Sequence, residues 1–539
     1  MRTPAATAAA VPTPVTQPQT IPAPRPVPTP TPAVAAPKVK MGGTFNEGVT
    51  GEPPHLDYHL TTGAVLRPVT VGVYSRLIRP RLTEETGPFD YVADADLAER
   101  WEQPNPTTWV FHLRRGAKFQ NIPPVNGREV IADDVVWSFG RAVSQKGGAL
   151  RGVFSMVSKV EKVDPYTVRF TLDSPSPVFL DRLMADQTVV IAPKEIADKD
   201  GDLKRTAVGS GPWILDRWDR GSRIALRKNP GFYLPGEPRL DRVNLITIPD
   251  PQTRLTAFLA GRLDVIEPSL KSQISDIQRS VPKAQVTSVP TGPSWLSVRS
   301  DIPPTNDARV RRALSMAINR QALIATVQQG EGEISLHILP TLPDALPKKD
   351  WGTDAKYLEY RPDDAKALLR EAGYSASPVS LGLWHRPGQA SVLDLQVESI
   401  IESFQQAGIK VDPIMRDPAA WTSAVYGGEY KHLAMSPQVS LPFWDQWIVD
   451  YQRTGGRRMN TFHGDKQLDA LIDKASQELD KAKRTQILRE VQLITLRQLY
   501  TIPIVTGARY WVRQPYVRGF VHHYDTITGA HRSKVWLDK

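Results

Sequence analysis

The 539-residue chain contains no cysteine. That excludes disulfides, thiol catalysis and cysteine-bound zinc, and it removes the residue to which a bacterial lipid anchor would be attached. An apolar run of roughly eighteen residues or more is also missing, so no segment reads as a bilayer-spanning helix. Dense cationic tracts are absent as well. The formal charge of +10 is spread over 67 Lys and Arg against 57 acids. That is a modest bias in a chain this long and no footprint of a nucleic-acid binder. The chain lacks G-x-x-x-x-G-K-S/T, H-E-x-x-H and G-x-S-x-G, so phosphate-loop, zinc-protease and nucleophile-elbow chemistry have no signature.

The remaining hints of chemistry have plainer explanations. GSGPW at 209–213 lacks the third glycine of a dinucleotide loop and reads as a tight turn before the strand WILDRW. His522, His523 and His531 read as surface histidines rather than metal ligands. Asp133 and Asp134 open an apolar stretch and suit the first turn of a helix, where acids meet the dipole. No cofactor, metal or catalytic triad is expected.

What is present begins with a tether. Residues 1–40 are about half Pro and Ala without hydrophobic periodicity, too poor in apolar surface to offset their ordering entropy. They carry no cationic start followed by an apolar run, so they are not an intact signal peptide. The expectation is a disordered tether on a trimmed chain, its export signal and any anchoring residue removed. Strand and helix signals then alternate from Met41 onward, which predicts a mixed α/β protein.

PTNDARVRRALSMAINRQALI predicts a helix with Val310, Leu314, Ala317 and Ile318 near one face and Asn306 or Asp307 as its cap. PDDAKALLREAGY and LDLQVESIIESFQQAGIKV predict helices ended by Gly373 and Gly408. LDALIDKASQELDKAKRTQILREVQLITLRQL predicts two successive helices, followed by the strand TIPIV. SPVSLGLWH, the 393–407 helix and GIKVDPIM form a strand–helix–strand unit whose strands should be parallel. In such sheets ligands bind beyond the carboxyl ends of the strands. Trp384, His385 and Arg386 lie there, as do Ser436, Pro437 and Gln438 after the strand KHLAM. Of thirteen tryptophans several fall in loops, among them Trp295, Trp421, Trp444 and Trp447, where they can line a cleft or pack a core.

TWVFHLRRGAKF at 108–119 mixes aromatic and cationic residues and raises the alternative of a polyanion grip. Its alternation instead fits a strand burying Trp109, Phe111 and Leu113, with Arg114, Arg115 and Lys118 around a solvated turn at Gly116. The longer run from Asp96 to Val143 resembles the signature of family 5 extracellular solute-binding proteins, the dipeptide/oligopeptide-binding class of ABC importers. The matching elements are Leu97-Ala98-Glu99 with Trp101, Phe111-His112-Leu113-Arg114, Gly116, Lys118-Phe119, and Ala132-Asp133-Asp134-Val135 with Ser138-Phe139 and Arg141. VGSGPWIL, RLTAFLAGRLDVI, VRRALSMAINRQALI and YRPDDAKALLREAGY are similar to later family elements, in the family's order.

The resemblance implies a two-lobed periplasmic-binding-protein-like fold (class II, cluster C type) that encloses a solute by hinge closure and performs no chemistry. The first lobe would run from residue 41 to 268, with an extra subdomain at about 60–200. The second would span 269–500, and 501–539 would return to the first. It further implies a monomer outside the cytoplasm, tethered to the membrane only through a lost N-terminal anchor, that delivers a peptide or peptide-like solute to a permease.

Under the resemblance, ligand contacts fall on Leu56, Asp57 and Tyr58 from the first lobe and on Trp384, His385, Arg386, Gln438, Trp444 and Asp445 from the second. Arg386 would pair an anionic group, and Asp57 or Asp445 would accept from a cationic or hydroxyl group. The family's peptide binders place an acid soon after the strand equivalent to KHLAM. Here SPQVSLPFWDQW offers only Asp445, at a shifted position, so the amine anchor is either Asp445 or missing. A binder of an opine, oligosaccharide or metal chelate is the rival within the family, and a peptide or glycan hydrolase the rival outside it.

Overall fold

In the computed structural model the described residues are 39–539, except 62–64, 84–88, 90, 146–148, 186–187, 269, 376–377, 387–391, 437–442, 457, 459 and 522–531. Two large sheets organise them. The first has seven strands in the order Gln285–Thr291, Gly507–Arg513, Val265–Ile266, Thr44–Val49, Arg242–Thr247, Arg223–Lys228 and Trp213–Asp219. The second has five, in the order Lys410–Met415, Ser380–His385, Leu433–Ser436, Trp295–Val298 and Thr501–Pro503.

The chain crosses between the sheets twice, at 292–294 and 504–506, and the crossings are bonded side by side. Ser294 N–H donates to Val505 O at 3.1 Å and Ile504 N–H to Ser294 O at 2.8 Å. The first crossing lies beyond the boundary expected after residue 268, because the Gln285–Thr291 strand pairs with Gly507–Arg513 along its whole length. The return falls a few residues after 501, because Thr501–Pro503 still pairs with Trp295 to Ser297. Near the C-terminus, Arg532 donates to both oxygens of the buried Glu47 at 2.7 and 2.8 Å, which fastens the chain end to the Thr44–Val49 strand.

A separate antiparallel sheet joins Ala98–Asn105, Thr108–Leu113, Thr167–Leu172 and Val157–Asp164, within the interval assigned to the extra subdomain. Phe111 and Leu113 are buried and Trp109 is partly so, whereas Arg115 lies over the Tyr166 ring at 4.3 Å. Phe111, Phe139 and Phe170 meet edge to face, which ties the Ala132–Ser144 helix to this sheet. The cationic stretch is therefore the border of a packed strand. Asp134 lies in the first turn of that helix and accepts from Ile131 N–H at 3.0 Å and from Arg128, a capping role.

The predicted helices appear at Pro362–Glu371, Val392–Gln406, Lys466–Gln477 and Lys481–Gln498, with Gly373 and Gly408 at positive φ past two of the ends. The helix expected from Asp307 onward is two. Ala308–Ala317 is capped by Asp307, and Asn319 caps a fresh start at Arg320–Thr326 by accepting from Ala322 N–H. A polar cap inside an apolar period ends one helix and begins another.

GSGPW is a point of close backbone approach. A Cβ on Gly209 would lie 2.2 Å from Val73 O, and one on Gly211 would lie 2.6 Å from Gly72 O. Gly209→Ala is expected to lower stability by about 1–3 kcal/mol, as overpacking against backbone does. Urea unfolding of the variant checks this, and an unchanged midpoint would contradict it.

Candidate functional site

Strand register builds one edge of the second sheet into a cluster. Ser380–His385 runs parallel to both Lys410–Met415 and Leu433–Ser436, so their carboxyl ends share an edge. Trp295 pairs with Ser436 on one side and Pro503 on the other, which brings it to the same edge. Trp384 pairs with Ala434, so the next positions carry His385 and Arg386 out beside Met435 and Ser436.

Aromatic side chains surround that edge. Trp384 packs with Trp421, Val425, Tyr426 and Tyr430, most of them from the Pro418–Gly427 helix. Trp295 meets Trp447 and Tyr451 edge to face at 5.7 and 5.0 Å. The Arg386 guanidinium lies 5.7 Å from the Trp421 ring centre. Arg386 and Arg458 both sit in the field of Tyr426 and Tyr451, and Arg458 donates to the Tyr451 hydroxyl at 3.0 Å. Burial holds the Arg386 guanidinium below its ordinary pKa, opposed by the two tyrosines.

No carboxylate among the described residues pairs with Arg386. The buried indole N–H groups of Trp295, Trp384 and Trp421 and Nδ1 of His385 likewise have no protein partner among the described residues. Buried indole N–H groups ordinarily find one. His385 is buried, and burial lowers its pKa against the pull of Asp394. Near neutral pH the edge therefore offers a half-buried cation and several donors set among aromatic faces. That arrangement suits a ligand with an anionic, acceptor-rich group on an organic body.

The carboxyl ends of the first sheet line two cavities. A cavity of about 130 Å³ is lined there by Glu47 to Gly51, Thr247, Ile266, Glu267, Arg509 and Trp511. A second, of about 320 Å³, shares Thr50, Glu267 and Arg509 with it and is closed by Gln328, Gln329 and Val392 from the other part of the chain. Arg509 and Glu267 pair there at 2.6 Å, and Arg254, which lines both cavities, donates to the Ile248 carbonyl at 2.6 Å.

The expected site residues do not all meet at this edge. Trp384, His385 and Arg386 do. Leu56, Asp57 and Tyr58 are buried within the first part, and both Asp57 oxygens accept from Arg141, at 2.9 and 2.6 Å. Asp57 also accepts from the backbone of His59 and Leu203, which makes it a junction of the scaffold. Trp444 and Asp445 open the buried Trp444–Ile448 helix, and Asp445 is held by Arg182, at 2.8 Å to Nε and 2.5 Å to Nη2. Gln438, like His522, His523 and His531, lies outside the described residues. Tyr426, Tyr451 and Arg458 were not foreseen. The aromatic pair Trp421 and Tyr426 was the available signal, although Trp421, expected in a loop, lies in the Pro418–Gly427 helix, and nothing local marked Arg458.

Among the described residues no helix is long and apolar enough to cross a membrane, and no group of three potential ligands could hold a metal ion.

The chain belongs to the bacterial extracellular solute-binding proteins, family 5, whose middle-region profile matches residues 93–460. It is a solute-binding protein and not an enzyme. It is 25% identical over 503 residues to a dipeptide-binding protein of Pseudomonas aeruginosa, covering 87% of this chain and 91% of that protein. Among solved structures it resembles the periplasmic binding protein DppA from Helicobacter pylori in complex with the peptide STSA. The TM-score is 0.80 at 23% identity, over 93% of this chain and 99% of that one. It resembles equally AgaA from A. tumefacien R10 in complex with agropinic acid, with a TM-score of 0.80 at 25% identity over 92% and 99% of the two chains.

Proposed function

We propose that this protein captures a peptide or peptide-like solute outside the cytoplasm for an ABC importer, with the solute's carboxylate held on Arg386. The observation that carries this reading is the half-buried guanidinium of Arg386, set against Trp421 with no carboxylate partner among the described residues. A cation in that setting is stabilised by a bidentate anion from outside the protein. The neighbouring tryptophans would stack on the rest of the solute. The paired crossings at 292–294 and 504–506 supply the hinge, so that bound solute shifts the population toward the closed form. Peptide capture is also what the names of the H. pylori and P. aeruginosa relatives indicate. Residues 1–40 would serve as a tether, and the binding unit would act as a monomer.

One observation favours a second reading, an opine or other acid without a free amine. Asp445, the only acid of the 436–447 segment, is already held by Arg182. Both readings require a carboxylate. Calorimetric titration of a tripeptide and its C-terminal amide is expected to show the acid binding about tenfold more tightly, the scale of one charge-assisted contact. Equal affinities would contradict the role of Arg386. Tight binding of acidic non-peptides alone would favour the second reading.

A further inference from the structure

A cavity of about 680 Å³ lies apart from the Arg386 edge. It is bounded by Tyr91, Val92 and Asp181 on one side and by Leu342 to Asp344, Phe443 and Trp444 on the other, with Lys481 and Arg484 at one end. Tyr91 and Phe443 touch edge to face at 4.6 Å across it. The Asp181 carboxyl opens on this space, and no hydrogen bond or ion pair reaches it from the described residues.

We infer that this cavity is a binding site for an organic amine with an aromatic or apolar body, and that Asp181 is its anionic anchor. The charge balance of the interior carries the assignment. Three carboxyl groups meet there, Asp181, Asp344 and Asp445, against two guanidinium groups, Arg182 and Arg484. Arg182 is committed to Asp445 at 2.5 Å. Arg484 Nη1 donates to the carbonyls of Glu478 and Leu479 at 2.9 and 3.5 Å. Asp344 accepts from the Thr485 hydroxyl at 2.6 Å. One carboxyl is thus left without its cation in a place of low dielectric, where an added ammonium gains most.

Arg81 and Lys481 do not fill that role, because they are exposed at the rim and screened by solvent. The aromatic walls of Tyr91, Phe443 and Trp444 favour a cation further through their ring faces. The charge deficit has a second expression. Burial and the neighbouring Asp445 push the Asp181 carboxyl up to about 7, with Arg484 and Arg182 opposing and Asp344 adding to the rise. An amine bound there should hold more tightly at pH 8 than at pH 6, as Asp181 becomes ionised.

Tyramine and its neutral counterpart tyrosol test the site on the whole protein by calorimetry. Tyramine is expected to bind about tenfold more tightly than tyrosol at pH 8, and less so at pH 6. D181N is expected to fold, since it removes an unpaired carboxyl, and to lose the preference for tyramine. Asp344→Asn, which keeps the anchor, should retain most of it. Equal affinities for the two probes, no binding of either, or a preference that survives in D181N would overturn the inference. A protein that separates the tripeptide acid from its amide but not tyramine from tyrosol contradicts this site alone. The opposite pattern contradicts the Arg386 reading alone.

Discussion

Arg182→Ala lowers the unfolding free energy by about 3–5 kcal/mol, the cost of stripping one partner from a buried ion pair. Arg182 and Asp445 are each about 4% exposed and meet at 2.5 and 2.8 Å. Both contacts go to Oδ2 of Asp445, and Oδ1 has no hydrogen-bond partner among the described residues, so losing Arg182 leaves a buried carboxylate with little else to hold it. Burial already pushes the Asp445 carboxyl above its usual range, and Arg182 is the main opposing influence. Without the guanidinium, that pKa rises further above its value in the unfolded chain. The variant's deficit is then largest at alkaline pH, above that raised pKa, and shrinks as pH falls and Asp445 takes up a proton. Arg182→Met with Asp445→Leu should recover much of the loss, because apolar residues of similar volume often replace a buried pair without penalty. Urea unfolding at pH 5 and pH 8 reads both results. A single variant as stable as the parent at pH 8 would show that the pair contributes nothing.

Arg386→Ala weakens binding of the carboxylate solute by about 10- to 100-fold, corresponding to the 1.5–3 kcal/mol of a charge-assisted hydrogen bond. The fold should be nearly untouched, since Arg386 forms no ion pair among the described residues. Arg386→Lys keeps the charge but not the planar fork, so it should restore only part of the affinity. Calorimetry on the three proteins gives the comparison. A loss for the free acid with no change for its amide would place the effect on the carboxylate, and equal losses would assign Arg386 to general packing.

Much of the framework could be read from the sequence because its signals are local. The acids of the first turn and Gly373 bracket the Pro362–Glu371 helix, and the parallel pairing of Ser380–His385 with Lys410–Met415 follows from the helix between them. That same step led to Trp384, His385 and Arg386. Interactions between distant residues left no local trace. Asp57 finds Arg141 across 84 positions and Asp445 finds Arg182 across 263, so two acids that read as ligand anchors are paired with arginines inside the protein. The Gln285–Thr291 strand was assigned to the second lobe because nothing in its own pattern names Gly507–Arg513 as its partner. The meeting of Tyr426, Tyr451 and Arg458 around Arg386 likewise depends on how three separate segments return to one sheet edge.

The most direct test of the central claim is a crystal structure of the protein with a saturating tripeptide. The account predicts the peptide carboxylate within about 3.2 Å of the Arg386 guanidinium, with side chains between the tryptophans of the second sheet's carboxyl edge. A peptide bound elsewhere, or one whose carboxylate faces solvent while Arg386 stays unpaired, would contradict it.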